Sequence, residues 1–546
     1  MTQGQHSELD VVGGVGSLVP SRRQLLGGAA GAVVLGALAS CGGSSSSPST
    51  SSSSGTANAG APKRGGNFRV GVSGGGSKDI FDGQNIITKP DQARLVTAFE
   101  TLVNYDENYK LVFDGLAEEV TQDKPSQWTI RLRKGVEFHN GKTMTADDVV
   151  YSLQRITTKK NGLTGYASLA SVDPAQIKKI DDQTVRLTLK SPDSTIADAL
   201  AAYTSGIVPS GYKTYPSPQI GTGPYRLQSF TAGQQSVSTR NENYWRTGQP
   251  YFDQVTVIDF PDATAQVNAL LAGQIDAMTD LPASQVAVAK ARGTINVLVS
   301  KTGGWLPLCM AVDAPPFNDN RVRQAMRLVV DRQAQVQQVL SGYGSVANDL
   351  YSPFDPAFNG DLPQRQRDVE QAKSLLKQAG HENLTVDLHT TPGGAGMVST
   401  ATVFAAQAKD AGITINIRND PNFYGDQYLK LPFSVDFWGT RNYLQQVAQG
   451  SLPTSPYNET HWPPKSGPGS NFTSLYQQAV AATDAAKRTE LIHEMRKLEY
   501  ENGGYIIPFY GDLVDAASTK VKGLLPSKGT LNLDGYGRGY RTIWFG

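Results

Sequence analysis

Alternating apolar and polar positions predict that strands open the folded part of the chain. The alternation is clearest in three segments, residues 67–72, 128–133 and 184–189. A helix is predicted at 91–102, after the first strand, and another helix begins after Thr145, between the other two strands. Residues 106–207 are therefore predicted to form a small α+β unit, inserted after the first strand and helix of a larger domain.

The second half of the chain shows apolar residues at helical spacing between short apolar runs. Helices are predicted to begin after Asp319 and Asp331 and near Val369, and strands are predicted at 384–389 and 413–417. Strands separated by helices of about ten or more residues imply right-handed crossovers. This pattern predicts an α/β fold with a sheet rich in parallel strands.

The N-terminal segment has the pattern of an export signal. Arg22 and Arg23 precede a run of Gly, Ala, Val and Leu at 27–38, and Leu38-Ala39-Ser40-Cys41 follows. Twin arginines indicate a Tat signal, and the last four residues resemble a lipobox, whose cysteine carries the lipid. The apolar run is shorter than the ~20 residues that cross a bilayer. Residues 1–41 are therefore predicted to be a lipoprotein signal that ends at lipidated Cys41.

The next segment, residues 42–61, is almost entirely Ser, Gly, Thr, Ala and Pro. Such a composition cannot bury enough apolar surface to fold, so a disordered tether is predicted.

The charge of the whole chain is nearly balanced, with 50 Lys and Arg against 49 Asp and Glu. This balance argues against nucleic acid as a partner.

Candidate catalytic groups are few. Residues 71–75 read Gly-Val-Ser-Gly-Gly, which matches the Gly-x-Ser-x-Gly spacing of a nucleophile elbow at Ser73, but no helix pattern follows. Asp147 and Asp148 are interpreted as helix-capping residues. The histidines lack metal-binding spacing, and no phosphate or dinucleotide motif is present, so no metal or cofactor is predicted.

The two cysteines are Cys41 and Cys309. A lipidated Cys41 leaves Cys309 without a partner for an intrachain disulfide, and the apolar neighbours of Cys309 predict a small buried side chain.

Aromatic residues are a stronger signal of function. Several lie in predicted loops and are suited to line a pocket for a small ligand, among them Trp305, Trp438 and Tyr457.

Several motifs occur together in a fixed order. They are 132–142 (LRKGVEFHNGK), 145–153 (TADDVVYSL), 221–225 (GTGPY), 243–245 (NYW), 269–276 (ALLAGQID), 316–325 (PFNDNRVRQA) and 331–332 (DR). In this order they resemble the peptide-binding family of ABC-transporter solute-binding proteins. The resemblance implies two α/β lobes, a two-strand hinge and an extra domain inserted in the first lobe.

The resemblance also implies domain boundaries. The first lobe is expected at 62–105, 208–302 and 510–546, the inserted domain at 106–207, and the second lobe at 303–509. The ligand is expected in the cleft between the lobes, closed by a hinge motion.

The resemblance places a ligand-contacting stretch at 438–441. Peptide binders have a Trp here, then two small residues and an Asp that pairs with the peptide's α-ammonium group. Trp438 matches the Trp and Gly439 offers backbone hydrogen bonds, but Arg441 stands at the Asp position. A guanidinium repels an ammonium, so we expect Arg441 to bind a carboxylate or another anion.

Two alternatives to that assignment stay open. Arg441 pairs with a nearby acid such as Asp436, or the alignment of this stretch is shifted. Asp420 and Asp426 are then the alternative acidic anchors for a ligand.

Together these observations predict a monomeric receptor, not an enzyme, that is lipid-anchored at the outer, periplasmic face of the cell membrane. It captures a peptide or peptide-like solute for an ABC permease and its ATPase. Its predicted ligand contacts are Trp438, Gly439, Arg441, Trp305, Tyr457 and Ser73. The alternatives are a secreted serine hydrolase that uses Ser73 and a ligand-sensing lipoprotein without a transporter.

Overall fold

The computed structural model describes residues 60–77, 79–86, 88–392, 395–420, 423–425, 427–529, 533 and 537–546. The predicted signal, its Cys41 and nearly all of the predicted tether lie outside the described residues. Within these ranges, no helix combines the length and the apolar character that a bilayer crossing requires.

The strands are numbered in chain order. They are β1 (Asn67–Ser73), β2 (Asn104–Tyr105), β3 (Leu111–Val112), β4 (Ala117–Lys124), β5 (Gln127–Leu132), β6 (Val172–Asp181), β7 (Thr184–Leu189), β8 (Tyr225–Thr231), β9 (Gln235–Arg240), β10 (Gln254–Phe260), β11 (Ala277–Met278), β12 (Ile295–Trp305), β13 (Leu308–Met310), β14 (Gly344–Val346), β15 (Thr385–Thr390), β16 (Thr414–Asn419), β17 (Phe433–Val435), β18 (Tyr505–Ile506), β19 (Phe509–Ser518), β20 (Val521–Lys522) and β21 (Trp544–Phe545).

The helices are α1 (Lys89–Ala98), α2 (Ala146–Thr157), α3 (Ile196–Ala201), α4 (Ala263–Leu271), α5 (Val286–Ala291), α6 (Asn320–Leu328), α7 (Arg332–Leu340), α8 (Val369–Gln378), α9 (Met397–Ala408), α10 (Tyr443–Gly450), α11 (Phe472–Ala481) and α12 (Ala485–Asn502). The helix predicted at 91–102 is α1. It begins earlier because Thr88 and Asp91 form a capping box, and it ends at Ala98, where the backbone becomes extended.

The first lobe is built on the sheet that contains β1. Its strand order is β12-β19-β11-β1-β10-β9-β8, with β14 added on β19. Strand β1 is parallel to β10 and β11, and the other neighbours are antiparallel. The alternating side chains Phe68, Val70 and Val72 of β1 are buried, as the sequence pattern predicts.

The second lobe is built on a separate sheet with the order β16-β15-β17-β13-β18. Strand β15 is parallel to β16 and β17, but β13 is antiparallel to both of its neighbours. The expectation of a sheet rich in parallel strands is therefore wrong for half of this sheet. Strand β13 directly follows β12 and β18 directly precedes β19, so the antiparallel pairing of β12 with β19 continues into the β13–β18 pair.

The inserted domain is an antiparallel sheet, β4-β5-β7-β6, with α2 beside it, which confirms the predicted α+β unit. Val149, Leu153 and Ile156 of α2 are buried in its core. Asp148 Oδ2 accepts a hydrogen bond from the Thr145 N–H at 3.0 Å, which confirms its capping role.

Two sequence motifs join the inserted domain to the first lobe. The His139 N–H donates to the Gly221 carbonyl at 2.8 Å, and its Nε2 lies 3.0 Å from the Gly223 carbonyl. Burial lowers the pKa of His139 to about 4, so its ring is neutral at physiological pH. The Gly223 N–H donates to the Ala98 carbonyl at 3.0 Å, directly after α1 ends.

The hinge consists of β12 and β19, which pair antiparallel and run from the first sheet toward the second lobe. Beyond the β12 register shift between Lys301 and Gly304, Trp305 forms a two-way backbone bridge with Trp438. Each N–H donates to the other residue's carbonyl at 2.9 Å. The hinge is thus bonded directly to the stretch that the sequence places in the ligand site.

Candidate functional site

An aromatic stack extends from the hinge into the second lobe. Ring centroids are 6.1 Å apart for Trp438 and Trp305, 5.4 Å for Trp305 and Tyr351, and 5.3 Å for Tyr351 and Tyr443. Interplanar angles of 18° or less make these contacts stacked. Trp305 is 3% exposed and ends β12, so it lies within the stack and not in a loop.

Glu499 of α12 holds the inner end of this aromatic stack. Its two carboxyl oxygens accept hydrogen bonds from the hydroxyls of Tyr351 and Tyr443. Burial raises the pKa of Glu499 to about 7. The stack is therefore anchored by a carboxyl group whose proton is held much more firmly than in water.

The outer end of the stack carries the exposed aromatic surface. Tyr457 packs edge-on against Trp438 with ring centroids 6.0 Å apart, and Tyr457 is 45% exposed. Phe437 is 57% exposed, whereas Trp438 is 7% exposed. Gly439, next in the chain, is partly buried. A ligand at this point would meet the exposed Tyr457 ring first, with the Trp438 ring behind it.

Arg441 lies against the same surface. Its guanidinium carbon is 5.2 Å from the centroid of the Trp438 ring. Arg441 is partly buried, and no carboxylate of a described residue lies within ion-pair distance of it. The structure thus places Trp438, Gly439, Arg441, Trp305 and Tyr457 together.

The proposed partner Asp436 is engaged elsewhere. Its oxygens accept hydrogen bonds from the hydroxyls of Tyr424 and Tyr428 and from the Phe437 N–H, at 3.0, 2.8 and 2.8 Å. The alternative that Arg441 is neutralised by Asp436 is therefore wrong. Of the other acidic candidates, Asp420 follows β16, and Asp426 lies outside the described residues.

Ser73 is in the other lobe. It is the last residue of β1, opposite Phe260, and Gly74 and Gly75 follow with positive φ. The next helix is α1, so the strand-to-helix turn of a nucleophile elbow is absent here, and no described side chain bonds to Ser73. In the described ranges no group of three or more His, Cys, Asp or Glu side chains is placed to hold a metal.

Cys309 is a fully buried residue of β13, as predicted. Burial raises the pKa of its thiol well above the usual value, so the thiolate needed for reaction is suppressed.

The two lobes touch through residues on either side of Arg441. The Tyr109 hydroxyl of the first lobe's insertion donates to the Thr440 carbonyl at 3.0 Å, and Asn442 Nδ2 donates to Asp198 Oδ1 at 2.5 Å. The Thr440 hydroxyl also donates to the carbonyl of Lys528 in the C-terminal segment, at 2.8 Å.

Sequence reasoning missed Tyr109, Asp198 and Lys528, because they are far from this stretch in the chain and belong to no motif. Tyr203 of the inserted domain is a further one. Burial raises the pKa of its hydroxyl, and the nearby positive charge of Arg441 opposes that rise.

Comparisons with known proteins agree with this architecture. The family model described as bacterial extracellular solute-binding proteins, family 5 Middle, matches residues 112–469. The chain is 29% identical over 312 residues to heme-binding protein A of Haemophilus influenzae, covering 52% of this chain and 57% of that protein. It is 26% identical over 476 residues to the dipeptide-binding protein of Escherichia coli. That match covers 79% of this chain and 87% of the Escherichia coli protein.

Solved structures share the fold. The ABC-transporter substrate-binding protein CtaP from Listeria monocytogenes superposes with a TM-score of 0.77 at 19% identity, covering 88% of this chain and all of that one. DppA from Helicobacter pylori, in complex with the peptide STSA, superposes with a TM-score of 0.74 at 19% identity. The superposition covers 88% of this chain and 98% of DppA. These structures show the two-lobed fold with its hinge.

Proposed function

Because the chain belongs to the bacterial extracellular solute-binding proteins of family 5, we propose that it is the receptor of an ABC importer. It captures a peptide or peptide-like solute between its lobes and delivers it to the permease and its ATPase. The observation that carries this proposal is the surface of Trp438, Tyr457 and Arg441, which lies where the second lobe touches the inserted domain.

The family relationship leaves the solute open. Relatives of this chain include a heme-binding protein, a dipeptide-binding protein and a glutathione-binding protein. The aromatic surface suits a planar or apolar group, and the Gly439 backbone suits a peptide-like group. Ser73 is proposed as a contact from the first lobe, because it lies at the end of β1, before a loop of glycines.

The proposed lobes follow the boundaries 62–105, 208–302 and 510–546 for the first lobe and 303–509 for the second, with 106–207 inserted. The course of β12 and β19 supports the two crossing points near 303 and 509. The protein is proposed to act as a monomer that captures the solute and does not transform it.

The ligand site is tested by Tyr457→Ala. Tyr457 is exposed and packs against Trp438, so its removal takes away contact area for a ligand without opening the core. We expect roughly tenfold less co-purified solute in native mass spectrometry of gently purified protein, as for a contact worth more than about 1 kcal/mol.

The matched control is Tyr215→Ala, which removes a tyrosine of similar exposure from the first lobe. This variant should retain the solute at the wild-type level. Equal retention by Tyr457→Ala would place the ligand elsewhere, and turnover of a captured solute that is lost in Ser73→Ala would support the hydrolase instead.

The location is proposed to be the outer face of the cell membrane, with the lipid on Cys41 and a Tat route of export. Cys41→Ser removes the thiol that the lipid is attached to, so we expect the variant to leave the detergent phase of a Triton X-114 partition for the aqueous phase. Wild-type protein in the aqueous phase would contradict the anchor.

A further inference from the structure

Arg441 lies between two residues of the second lobe that form hydrogen bonds with the inserted domain. The Thr440 carbonyl accepts a hydrogen bond from the Tyr109 hydroxyl, and the Asn442 side-chain amide donates one to the Asp198 carboxylate. Separating the lobes breaks both hydrogen bonds and exposes the segment between them. Closing the lobes therefore carries the Arg441 guanidinium from water into a partly enclosed space.

No carboxylate of a described residue lies within ion-pair distance of the guanidinium in that space. Other enclosed arginines have polar partners: Arg94 contacts three carboxylates, Arg332 pairs with Asp349, and Arg327 donates to backbone carbonyls. Among the described residues, Arg441 has only the face of the Trp438 ring. The nearby carboxylate of Asp198 is bonded to Tyr105 and Asn442 instead.

A second cation without an ion-pair partner among the described residues lies in the same contact region. This cation is the ammonium group of Lys528, which lies 4.9 Å from the centroid of the Phe354 ring. The Lys528 carbonyl accepts a hydrogen bond from the Thr440 hydroxyl. No described carboxylate is within ion-pair distance of the ammonium group. The contact between the lobes thus contains two cations, Arg441 and Lys528, that have no ion-pair partner among the described residues.

Enclosing a charge without a partner costs free energy, because its hydration is lost and not replaced. A carboxylate, phosphate or sulfate would replace that hydration with charge-assisted hydrogen bonds, bidentate in the case of a guanidinium. A cationic group would be repelled.

Resting on the proposed function, we infer that an anionic group of the solute neutralises Arg441 and thereby allows the lobes to close. Arg441 selects the solute by its charge and couples that selection to closure. Without an anion, the open form is favoured.

The inference predicts a change in the protein without any ligand. Arg441→Gln removes the positive charge, so enclosing the side chain should cost less free energy. The ratio of closed to open forms of solute-free protein should then rise roughly tenfold, the size expected when one unpaired charged group no longer has to be enclosed. Small-angle X-ray scattering reads this rise as a smaller radius of gyration. Arg441→Lys keeps the charge and should scatter like the wild type.

Equal scattering of Arg441→Gln and the wild type would overturn the inference. The identity of the retained solute is the second readout: released from wild-type protein and analysed by mass spectrometry, it should carry an acidic group, and Arg441→Gln should retain at least tenfold less. A neutral or cationic solute retained equally by both proteins would also overturn the inference, while leaving the proposed receptor function intact.

Discussion

In Glu499→Gln, the free energy of unfolding is expected to lose the part of its pH dependence that Glu499 contributes between pH 4.5 and about 7. Burial raises the pKa of Glu499 from 4.5 to about 7, so the folded state keeps a proton that the unfolded state releases. The stabilisation is complete below pH 4.5 and is lost as pH rises through 7. For this shift it amounts to about 3 kcal/mol.

Urea unfolding of wild type and Glu499→Gln at pH 5 and pH 8 measures this contribution as a double difference, in which the other titrating groups cancel. Glutamine keeps the shape of the side chain beneath Tyr351 and Tyr443. The control is Glu494→Gln on the exposed side of the same helix, α12. A slope in Glu499→Gln equal to that of the wild type would show that Glu499 ionises normally.

Gly221→Ala is expected to destabilise the protein by roughly 3 kcal/mol or more. A β-carbon on Gly221 would lie 1.9 Å from the Ala98 carbonyl oxygen and 2.9 Å from the Phe99 ring. The obstacle is backbone at the end of α1, so no side-chain rotation relieves it. Because Gly221 also bonds to His139, the strain falls on the junction between the inserted domain and the first lobe.

Gly76→Ala is the matched control. A β-carbon there meets nothing within 4 Å, and its backbone is not left-handed. Its effect on urea unfolding should stay within about 1 kcal/mol. A Gly221→Ala protein as stable as Gly76→Ala would mean that the junction yields more easily than its packing indicates.

The motifs that identify the family are mostly structural. His139, Gly221 and Gly223 join two domains, and Tyr244 and Trp245 both donate to Glu100. Arg323, in the motif at 316–325, donates to the carbonyls of Phe317 and Gly503. Each of these roles depends on the residue type present in the motif, so the sequence predicts the architecture well.

The proposed ligand site is less predictable, for a physical reason. Its walls come from the hinge, the second lobe and the inserted domain, and no spacing in the sequence relates Tyr203 or Asp198 to Arg441. Trp438 and Tyr457 are identifiable as candidates from their type alone. That Arg441 has no carboxylate partner among the described residues is visible only in the structure, where Asp436 is bonded to Tyr424 and Tyr428 instead.

The direct bond between the hinge and the site has a practical consequence. The chain has six tryptophans, and two of them, Trp305 and Trp438, are paired at the point where the lobes rotate. Indole emission shifts with polarity and with ring contacts. The occupied and empty receptor should therefore differ in intrinsic tryptophan fluorescence. Capture and release of the solute can then be followed without an attached dye.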